Sequence, residues 1–238
     1  MPTARPARSP VTGQHARVRT EPRLHPPMRY RIILFDFDGT LADSFPLFLR
    51  AYGDIAQRHG FAQVSTEQLV KLRGLSPRQM IQHVGMPMWK LPFVAADFIA
   101  YMRKHLCEVR LFEGVGALLR EFDQAGVRIA IVSSNAEDNL RSVIGEAGLR
   151  HIHHIESGMS MFGKAQRIQR VLRESAIEPR DALYVGDQIS DREGAREAGV
   201  DFGAVSWGYG CPDALRAARP EWVFEQFDDL RQLLAEPA

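Results

Sequence analysis

The sequence has few cysteines, no long apolar run and almost no net charge, and each absence excludes a class of protein. Its two cysteines, Cys107 and Cys211, lie far apart and lack metal-ligand spacing, which indicates thiols in a reducing compartment. No apolar run approaches the ~18 residues of a membrane-spanning helix. A net charge of +1 over 238 residues does not favour nucleic acid or a membrane surface as partner. We therefore expect a cytoplasmic globular protein.

Residues 1–27 almost lack large apolar side chains. They hold six of the chain's 14 prolines and five arginines with a single acid. Such a composition cannot bury enough surface to offset the entropy of ordering, and it has no apolar core of a secretory signal. We expect a disordered basic tail, with a basic docking arm as the alternative, and a fold that begins at Met28.

The remaining chain alternates between apolar runs and amphipathic segments. Four apolar runs lead into polar residues or glycine, as buried strands do before loops: 31–39, 126–135, 181–191 and 200–210. Apolar residues recur at helical spacing in three segments between them: 114–125, 137–147 and 164–174. Strands that alternate with helices predict an α/β fold with a Rossmann-like parallel sheet.

One long segment interrupts this alternation. Residues 45–112 contain helix-like patterns and no convincing strand, and Ser76–Pro77 is a favourable helix start. One predicted helix face carries five apolar residues: Leu47, Phe48, Ala51, Tyr52 and Ile55. We expect a helical cap at 46–111, inserted into an α/β core formed by 28–45 and 112–238.

Polar clusters follow three of the predicted strands. The stretch ILFDFDGTLADS places Asp36, Asp38 and Asp43 directly after an apolar run, where uncompensated carboxylates would be costly to bury. Ser133–Asn135 and Gly186–Asp191 end two further strands. Because ligands bind beyond the carboxyl ends of parallel strands, we expect these clusters to line one crevice.

Clustered carboxylates with a hydroxyl and an ammonium group suit the hydrolysis of a phosphate ester. One carboxylate can attack phosphorus to form an acyl phosphate. A second acid can protonate the leaving oxygen and then activate the hydrolytic water. A hard cation with oxygen ligands, Mg²⁺, would neutralise the carboxylates and the phosphoryl oxygens.

Four short motifs occur in the order and at the separations of one enzyme family. They are D-x-D-G-T-x-x-D-S at 36–44, an apolar strand ending in Ser133, Lys164 at a helix start, and G-D-x-x-x-D at 186–191. The chain resembles, over about residues 29–236, a haloacid dehalogenase superfamily hydrolase of the phosphoglycolate-phosphatase-like group. That resemblance implies a Rossmann-like core with a helical cap, and a Mg²⁺-dependent phosphomonoester hydrolase that works through an aspartyl-phosphate.

The resemblance also implies roles for the four acids. Asp36 is expected to be the nucleophile and a Mg²⁺ ligand, and Asp38 the acid and base whose backbone carbonyl reaches the metal. Asp187 is expected to be the other direct ligand. Asp191 is expected to support the metal through a water molecule or a hydrogen bond.

The phosphoryl group is expected to lie against the second and third motifs. The hydroxyl of Ser133 and the backbone amides of Ser134 and Asn135 would hold its oxygens. Lys164 would balance the charge of Asp36 and of the phosphate.

Two other functions remain open from the sequence. A phosphomutase of the β-phosphoglucomutase kind is related, but such enzymes usually carry a histidine where this chain has Phe48. A phospho-accepting signalling module also uses an aspartate, a hydroxyl residue, a lysine and Mg²⁺, but without turnover and without a helical cap. A dehalogenase is disfavoured by Asp38.

The substrate is expected to be a small phosphate ester whose identity the sequence does not give. Arg73 is the candidate specificity residue, with Lys71 and Arg78 as weaker ones. We expect a monomer or homodimer with no nucleic-acid or membrane partner. A structural or exposed role is expected for the histidines of 150–157, and the loop 206–212 either lines the site or only packs Trp207.

Overall fold

The computed structural model describes residues 29–65, 67–68, 72, 77–158 and 163–235. The predicted tail at 1–27 lies outside these residues. The fold is a Rossmann-like α/β core with helices on both faces of a parallel sheet, as the alternating sequence pattern predicts. Within the described residues, no helix combines the length and apolarity that crossing a membrane requires.

Among the described residues, eight strands form two sheets. The strands are β1 Ile32–Phe35, β2 Ala42–Asp43, β3 Arg110–Leu111, β4 Arg128–Ser133, β5 His154–Ser157, β6 Ala182–Gly186, β7 Asp201–Val205 and β8 Trp222–Phe224. Six of them form the parallel sheet in the order β5-β4-β1-β6-β7-β8. The register places Phe35 of β1 between Ile131 of β4 and Val185 of β6, so these three strands end at the same edge.

In the part of the chain that the structure describes, eight α-helices and four 3-10 helices have defined bounds. The α-helices are α1 Phe45–His59, α2 Pro77–His83, α3 Leu91–Lys104, α4 Val115–Gln124, α5 Glu137–Leu149, α6 Lys164–Ser175, α7 Ile189–Ala198 and α8 Pro212–Ala217. The 3-10 helices are Met88–Lys90, Leu106–Glu108, Pro179–Asp181 and Phe227–Leu234. The three helices predicted from periodicity within the core correspond to α4, α5 and α6.

Two apolar cores cover the two faces of the sheet. On one face, Ile33 and Phe35 of β1 pack in a cluster with Phe122 of α4. On the other face, Ile32 and Leu34 share a cluster with helix α6. Because both faces of β1 are covered, its sequence is continuously apolar rather than alternating.

The segment between β2 and β3 is helical where the structure describes it. Helix α1 buries Leu47, Ala51 and Ile55, with Phe48 and Tyr52 half-buried on the same predicted face, and packs against α3. The predicted helix start at Ser76 lies outside the described residues, and α2 begins at Pro77.

Four of the described strands were not predicted from the sequence: the short β2, β3 and β8, and the four-residue β5. β3 lies inside the segment that showed no strand pattern, and it pairs antiparallel with β2, Ala42 opposite Leu111. β8 forms the edge of the main sheet beside β7. Strands of two or three residues are too short to show an alternation of apolar and polar side chains.

Candidate active site

Three buried aspartates converge at the carboxyl ends of β1 and β6. Asp36 follows β1, Asp187 follows β6, and Asp191 lies in the first turn of α7. One carboxylate oxygen from each lies within 4.8 Å of the other two. Buried carboxylate oxygens this close form a donor set that suits a hard divalent cation.

Lys164 places its ammonium group among these carboxylates. It is the first residue of α6, and its Nζ lies 3.3 Å from Oδ2 of Asp36 and also donates to Oδ1 of Asp191. The ammonium also lies 5.4 Å from the ring centroid of the buried Tyr184, within the range of a cation–π contact. A cation at a helix N-terminus opposes the helix dipole, and the two carboxylates supply the compensation.

Burial and mutual repulsion change the acidity of the cluster. Desolvation raises the pKa of Asp36 to about 7, against the lowering effect of Lys164. Desolvation, together with the charges of Asp191 and Asp36, raises the pKa of Asp187 well above its ordinary value. Desolvation opposes the charge of Lys164, but Asp191 and Asp36 outweigh it and raise its pKa. The single ammonium therefore does not balance three carboxylates, and the cluster retains capacity for further positive charge.

Asp191 already uses both oxygens in hydrogen bonds. Its Oδ2 accepts the backbone N–H groups of Asp187 at 3.0 Å and of Gln188 at 2.9 Å, as part of a capping box that begins α7. Its Oδ1 accepts from Lys164. These bonds orient the loop that carries Asp187.

Asp187 is held by two elements distant in sequence. Thr40 Oγ1 donates to its Oδ1 at 3.1 Å, and the backbone N–H of Tyr209 donates to its Oδ2 at 2.6 Å. The loop after β7 approaches so closely that a Cβ on Gly210 would lie 1.8 Å from the carbonyl oxygen of Asp187. Glycine is therefore required at position 210 for this contact.

Asp38 is oriented through both of its oxygens. Ser44 Oγ donates to Oδ1 at 2.7 Å, and Asn135 Nδ2 donates to Oδ2 at 2.9 Å. Desolvation raises the pKa of Asp38, although these two hydrogen bonds oppose the change. A carboxyl group with a raised pKa and a fixed direction suits proton transfer.

The strand end at β4 connects to Asp38 through Asn135. The backbone N–H of Asn135 donates to Ser133 Oγ at 3.1 Å, while its side chain reaches Asp38. Ser133 is buried and Ser134 is exposed. The sequence indicated the backbone amide of Asn135 as a phosphate ligand and missed this side-chain contact.

Tyr209 was not predicted as a site residue. Its hydroxyl lies 2.7 Å from Ser44 Oγ, and its ring lies edge-on to Phe45 at 5.0 Å and to Phe48 at 5.5 Å. Tyr209 thus contacts the Asp38 side of the site, the Asp187 side and helix α1. The only sequence signal was the pattern SWGYGCP after a predicted strand.

The two interpretations of the loop 206–212 both describe it in part. Trp207 packs against Phe112 and Phe227, and its Nε1 donates to the carbonyl oxygen of Thr40 at 3.2 Å. Tyr209, two residues later, lines the site. The loop therefore packs one aromatic residue and supplies another to the site.

The candidate specificity residues and the histidine cluster are the remaining predictions. Arg73 and Lys71 lie outside the described residues, as does the side chain of Arg78. In the segment 150–157, His151 and His153 lie on one side and contact Asp123, with His151 Nδ1 2.8 Å and His153 Nε2 3.6 Å from its oxygens.

Comparison with known proteins identifies the family. The family model described as "Haloacid dehalogenase-like hydrolase" matches residues 33–205, so the chain belongs to the haloacid dehalogenase-like hydrolases. The phosphoglycolate phosphatase of Synechococcus elongatus is 29% identical over 205 residues, 86% of this chain and 97% of that protein. The family resemblance and the phosphatase class predicted from the motifs are therefore confirmed.

Other matches show how widely the family's fold is used. The tyrosine-protein kinase PtkA of Mycobacterium tuberculosis is 26% identical over 210 residues, 86% of this chain and 72% of that protein. A haloacid dehalogenase-like family hydrolase from Streptococcus pneumoniae superimposes with a TM-score of 0.76 at 20% identity, covering 87% of this chain and 99% of its own. The structural match supports the predicted fold class.

Proposed function

We propose that this protein is a Mg²⁺-dependent phosphomonoester hydrolase that works through an aspartyl-phosphate on Asp36. The supporting observation is that three buried carboxylates and the ammonium group of Lys164 meet at the strand ends. Asp38 lies beside them with both oxygens oriented. This arrangement supplies a nucleophile, an acid and base, and a site for a divalent cation.

Each proposed residue acts on a defined bond. Asp36 attacks phosphorus, and the bond from phosphorus to the leaving oxygen breaks while Asp38 gives that oxygen its proton. Asp38, now a carboxylate, takes a proton from the water that attacks the aspartyl-phosphate. The water oxygen bonds to phosphorus while the bond from phosphorus to Asp36 breaks. The products are the alcohol released in the first step and inorganic phosphate, with Asp36 free and Asp38 protonated again. Ser133 and the amides of residues 134–135 hold the phosphoryl oxygens throughout.

The donor set at the strand ends fits Mg²⁺, since buried carboxylate oxygens are hard ligands. Asp36 and Asp187 would ligate the ion directly, with the backbone carbonyl of Asp38, and Asp191 would fix Asp187 through its hydrogen bonds. When bound, Mg²⁺ supplies charge neutralisation for the carboxylates and the phosphoryl oxygens. Lys164 lies 3.3 Å from the carboxylate of Asp36, and its charge favours the ionised form that attacks phosphorus.

We propose that residues 46–111 form the cap that selects the substrate. Its first helix brings Phe45 and Phe48 against Tyr209 beside the site. The relative from Synechococcus elongatus is named for phosphoglycolate, so small phosphorylated acids are the first substrates to test. The two free cysteines, Cys107 and Cys211, suit a cytoplasmic enzyme that acts on small molecules.

A phosphate-release screen tests the proposed function. Purified protein is incubated with phosphoglycolate, sugar phosphates, nucleotides and pyrophosphate, with Mg²⁺ or with excess EDTA. We expect repeated turnover on at least one monoester with Mg²⁺, and loss of that activity with EDTA. Phosphate release that stops after one equivalent would instead indicate a phospho-accepting module, and phosphate transfer between positions of a sugar would indicate a mutase.

Mg²⁺ is expected to stabilise the fold through the aspartate cluster. A ligand that binds only the folded state adds about 2.7 kcal/mol to the free energy of unfolding at 100 times its Kd. We expect the thermal midpoint to rise with Mg²⁺, and D187N to lose most of that rise. The control is D213N, because Asp213 lies on α8 with its side chain 93% exposed. An equal rise in D187N would contradict the metal assignment.

The same titration has an expected pH dependence. Because the pKa of Asp36 in the metal-free chain is about 7, protons compete with Mg²⁺ for its carboxylate. The Mg²⁺ affinity should therefore increase as the pH rises from about 6 to about 8. A Kd that is constant over this range would contradict the expected competition between protons and Mg²⁺ at Asp36.

A further inference from the structure

A buried arginine, Arg167, lies one turn after Lys164 on α6. Its side chain reaches the carboxyl ends of two neighbouring strands, where Nη1 donates to the carbonyl oxygen of Ser133 at 2.7 Å and of Gly158 at 3.0 Å. The residue is only 9% exposed. The guanidinium group is therefore buried beside the polar loop that follows β4.

The bond to Ser133 has a geometric consequence for the next amide. A trans peptide unit is planar, and its carbonyl oxygen and N–H point in opposite directions. By holding the oxygen of Ser133, Arg167 fixes the direction of the Ser134 N–H, which points away from the guanidinium. The N–H of Asn135, bonded to Ser133 Oγ at 3.1 Å, fixes the following peptide.

The bond also has an electrostatic consequence. A hydrogen bond from a charged donor polarises the peptide unit that accepts it, and successive hydrogen bonds strengthen one another. The Ser134 N–H therefore becomes a stronger donor to an anion. The positive charge of Arg167 acts at the far side of the peptide without contact between the guanidinium and that anion.

We propose that Arg167 is a positioning residue for the phosphoryl group: it orients the Ser134 N–H and strengthens it as a donor in the phosphate loop, residues 133–135. This inference rests on the proposed function, since it takes the phosphate loop to bind a phosphoryl group. Helix α6 then supplies two cations three residues apart, Lys164 for the carboxylates and Arg167 for the phosphate loop.

The same helix offers a matched control. Arg170 lies one turn beyond Arg167, its side chain is 56% exposed, and Nη1 pairs with Oε1 of Glu156 at 2.9 Å. R170M removes the same chemical group from the same helix without touching the phosphate loop. A general effect of losing an arginine from α6 would appear in both variants.

The test compares R167M and R170M with the wild-type protein in two measurements. Calorimetry gives the Kd for inorganic phosphate in the presence of Mg²⁺, and steady-state kinetics give kcat and KM for the best ester of the screen. For R167M we expect the Kd to rise and kcat/KM to fall by about tenfold, while R170M stays within about twofold of wild type. In a third variant, R167A, guanidinium chloride at tens of millimolar should partly restore phosphate binding. Equimolar urea, which is uncharged, should not.

Each outcome bears on a defined claim. R167M within about twofold of wild type in both measurements, or R170M as impaired as R167M, would overturn the inference about Arg167. Phosphate binding that depends on Arg167 in a protein without turnover would support this inference and refute the proposed function. If the wild-type protein does not bind phosphate at all, the inference fails.

Two further variants decide the question if R167M does not fold. R167K keeps a positive charge near the carbonyl of Ser133, whereas R167Q keeps a donor without the charge. We expect R167K to bind phosphate several-fold more tightly than R167Q, because the charge polarises the peptide. Equal affinities in the two variants would overturn the inference.

Discussion

D36N is expected to lower kcat by at least about four orders of magnitude with every substrate, since loss of a nucleophile removes the covalent route. An asparagine amide oxygen carries no negative charge and forms no acyl phosphate. The backbone N–H of Phe37 donates to Oδ1 of Asp36 and the ammonium group of Lys164 to Oδ2, so the single amide oxygen of D36N keeps one of these two hydrogen bonds. Single-turnover phosphate release and ³²P labelling of the protein measure the effect, with D213N as the control.

The stability of D36N provides an independent check that the variant is folded. In the metal-free wild type the pKa of Asp36 is raised from 3.8 to about 7, so its contribution to stability is lost as the pH rises through that interval. D36N has no titrating group at this position and does not lose stability in this way. Its unfolding free energy, relative to wild type, should increase from pH 4 to about pH 7 and then level off. A folded D36N that keeps the wild-type kcat would contradict the assignment of the nucleophile.

D38A is expected to slow both chemical steps by about 10²- to 10⁴-fold, the usual contribution of a general acid or base. One carboxyl group would serve both steps, first as acid and then as base. Ser44 and Asn135 hold it in one direction, which suits a group that must reach the leaving oxygen and the attacking water. Stopped-flow measurement of alcohol release and of phosphate release separates the two rates.

The choice of leaving group sharpens this prediction. With p-nitrophenyl phosphate the leaving oxygen needs little protonation. D38A should therefore form the aspartyl-phosphate at a rate close to that of the wild type, while its hydrolysis stays slow. The aspartyl-phosphate would then accumulate, giving a burst of p-nitrophenol near one equivalent. If the second step keeps its wild-type rate, the double role of Asp38 is wrong. D213N should show the wild-type rates in both steps.

The sheet was predictable because its inner strands are covered on both faces. Strands β1, β4 and β6 are continuously apolar and each ends in a polar cluster, so strand, direction and site edge could be inferred together. β3 and β8 could not be predicted, because two or three residues carry no periodic pattern. The fold class could thus be predicted from the long apolar runs alone.

The residues of the candidate site could be predicted only where they lie close to one another in the sequence. Asp36 and Asp38 stand two residues apart, and Asp187 and Asp191 four apart, so each pair is visible within one motif. The contact between Tyr209 and Ser44 joins residues 165 positions apart, and nothing local in a single sequence indicates it. Arg167 likewise looks like any arginine on an amphipathic helix until the carbonyl of Ser133 is seen beside it.

The pairing of β2 with β3 has a consequence for protein engineering. The chain leaves the core through β2 and returns through β3, and Asp43 lies opposite Arg110. The two connections therefore lie side by side. A segment exchanged between Asp43 and Arg110 would keep both of its ends attached to this pair of strands. Under the proposed role of residues 46–111 in substrate selection, a library of chimaeras built at these positions would vary the ligand preference while leaving the strand-end aspartates in place.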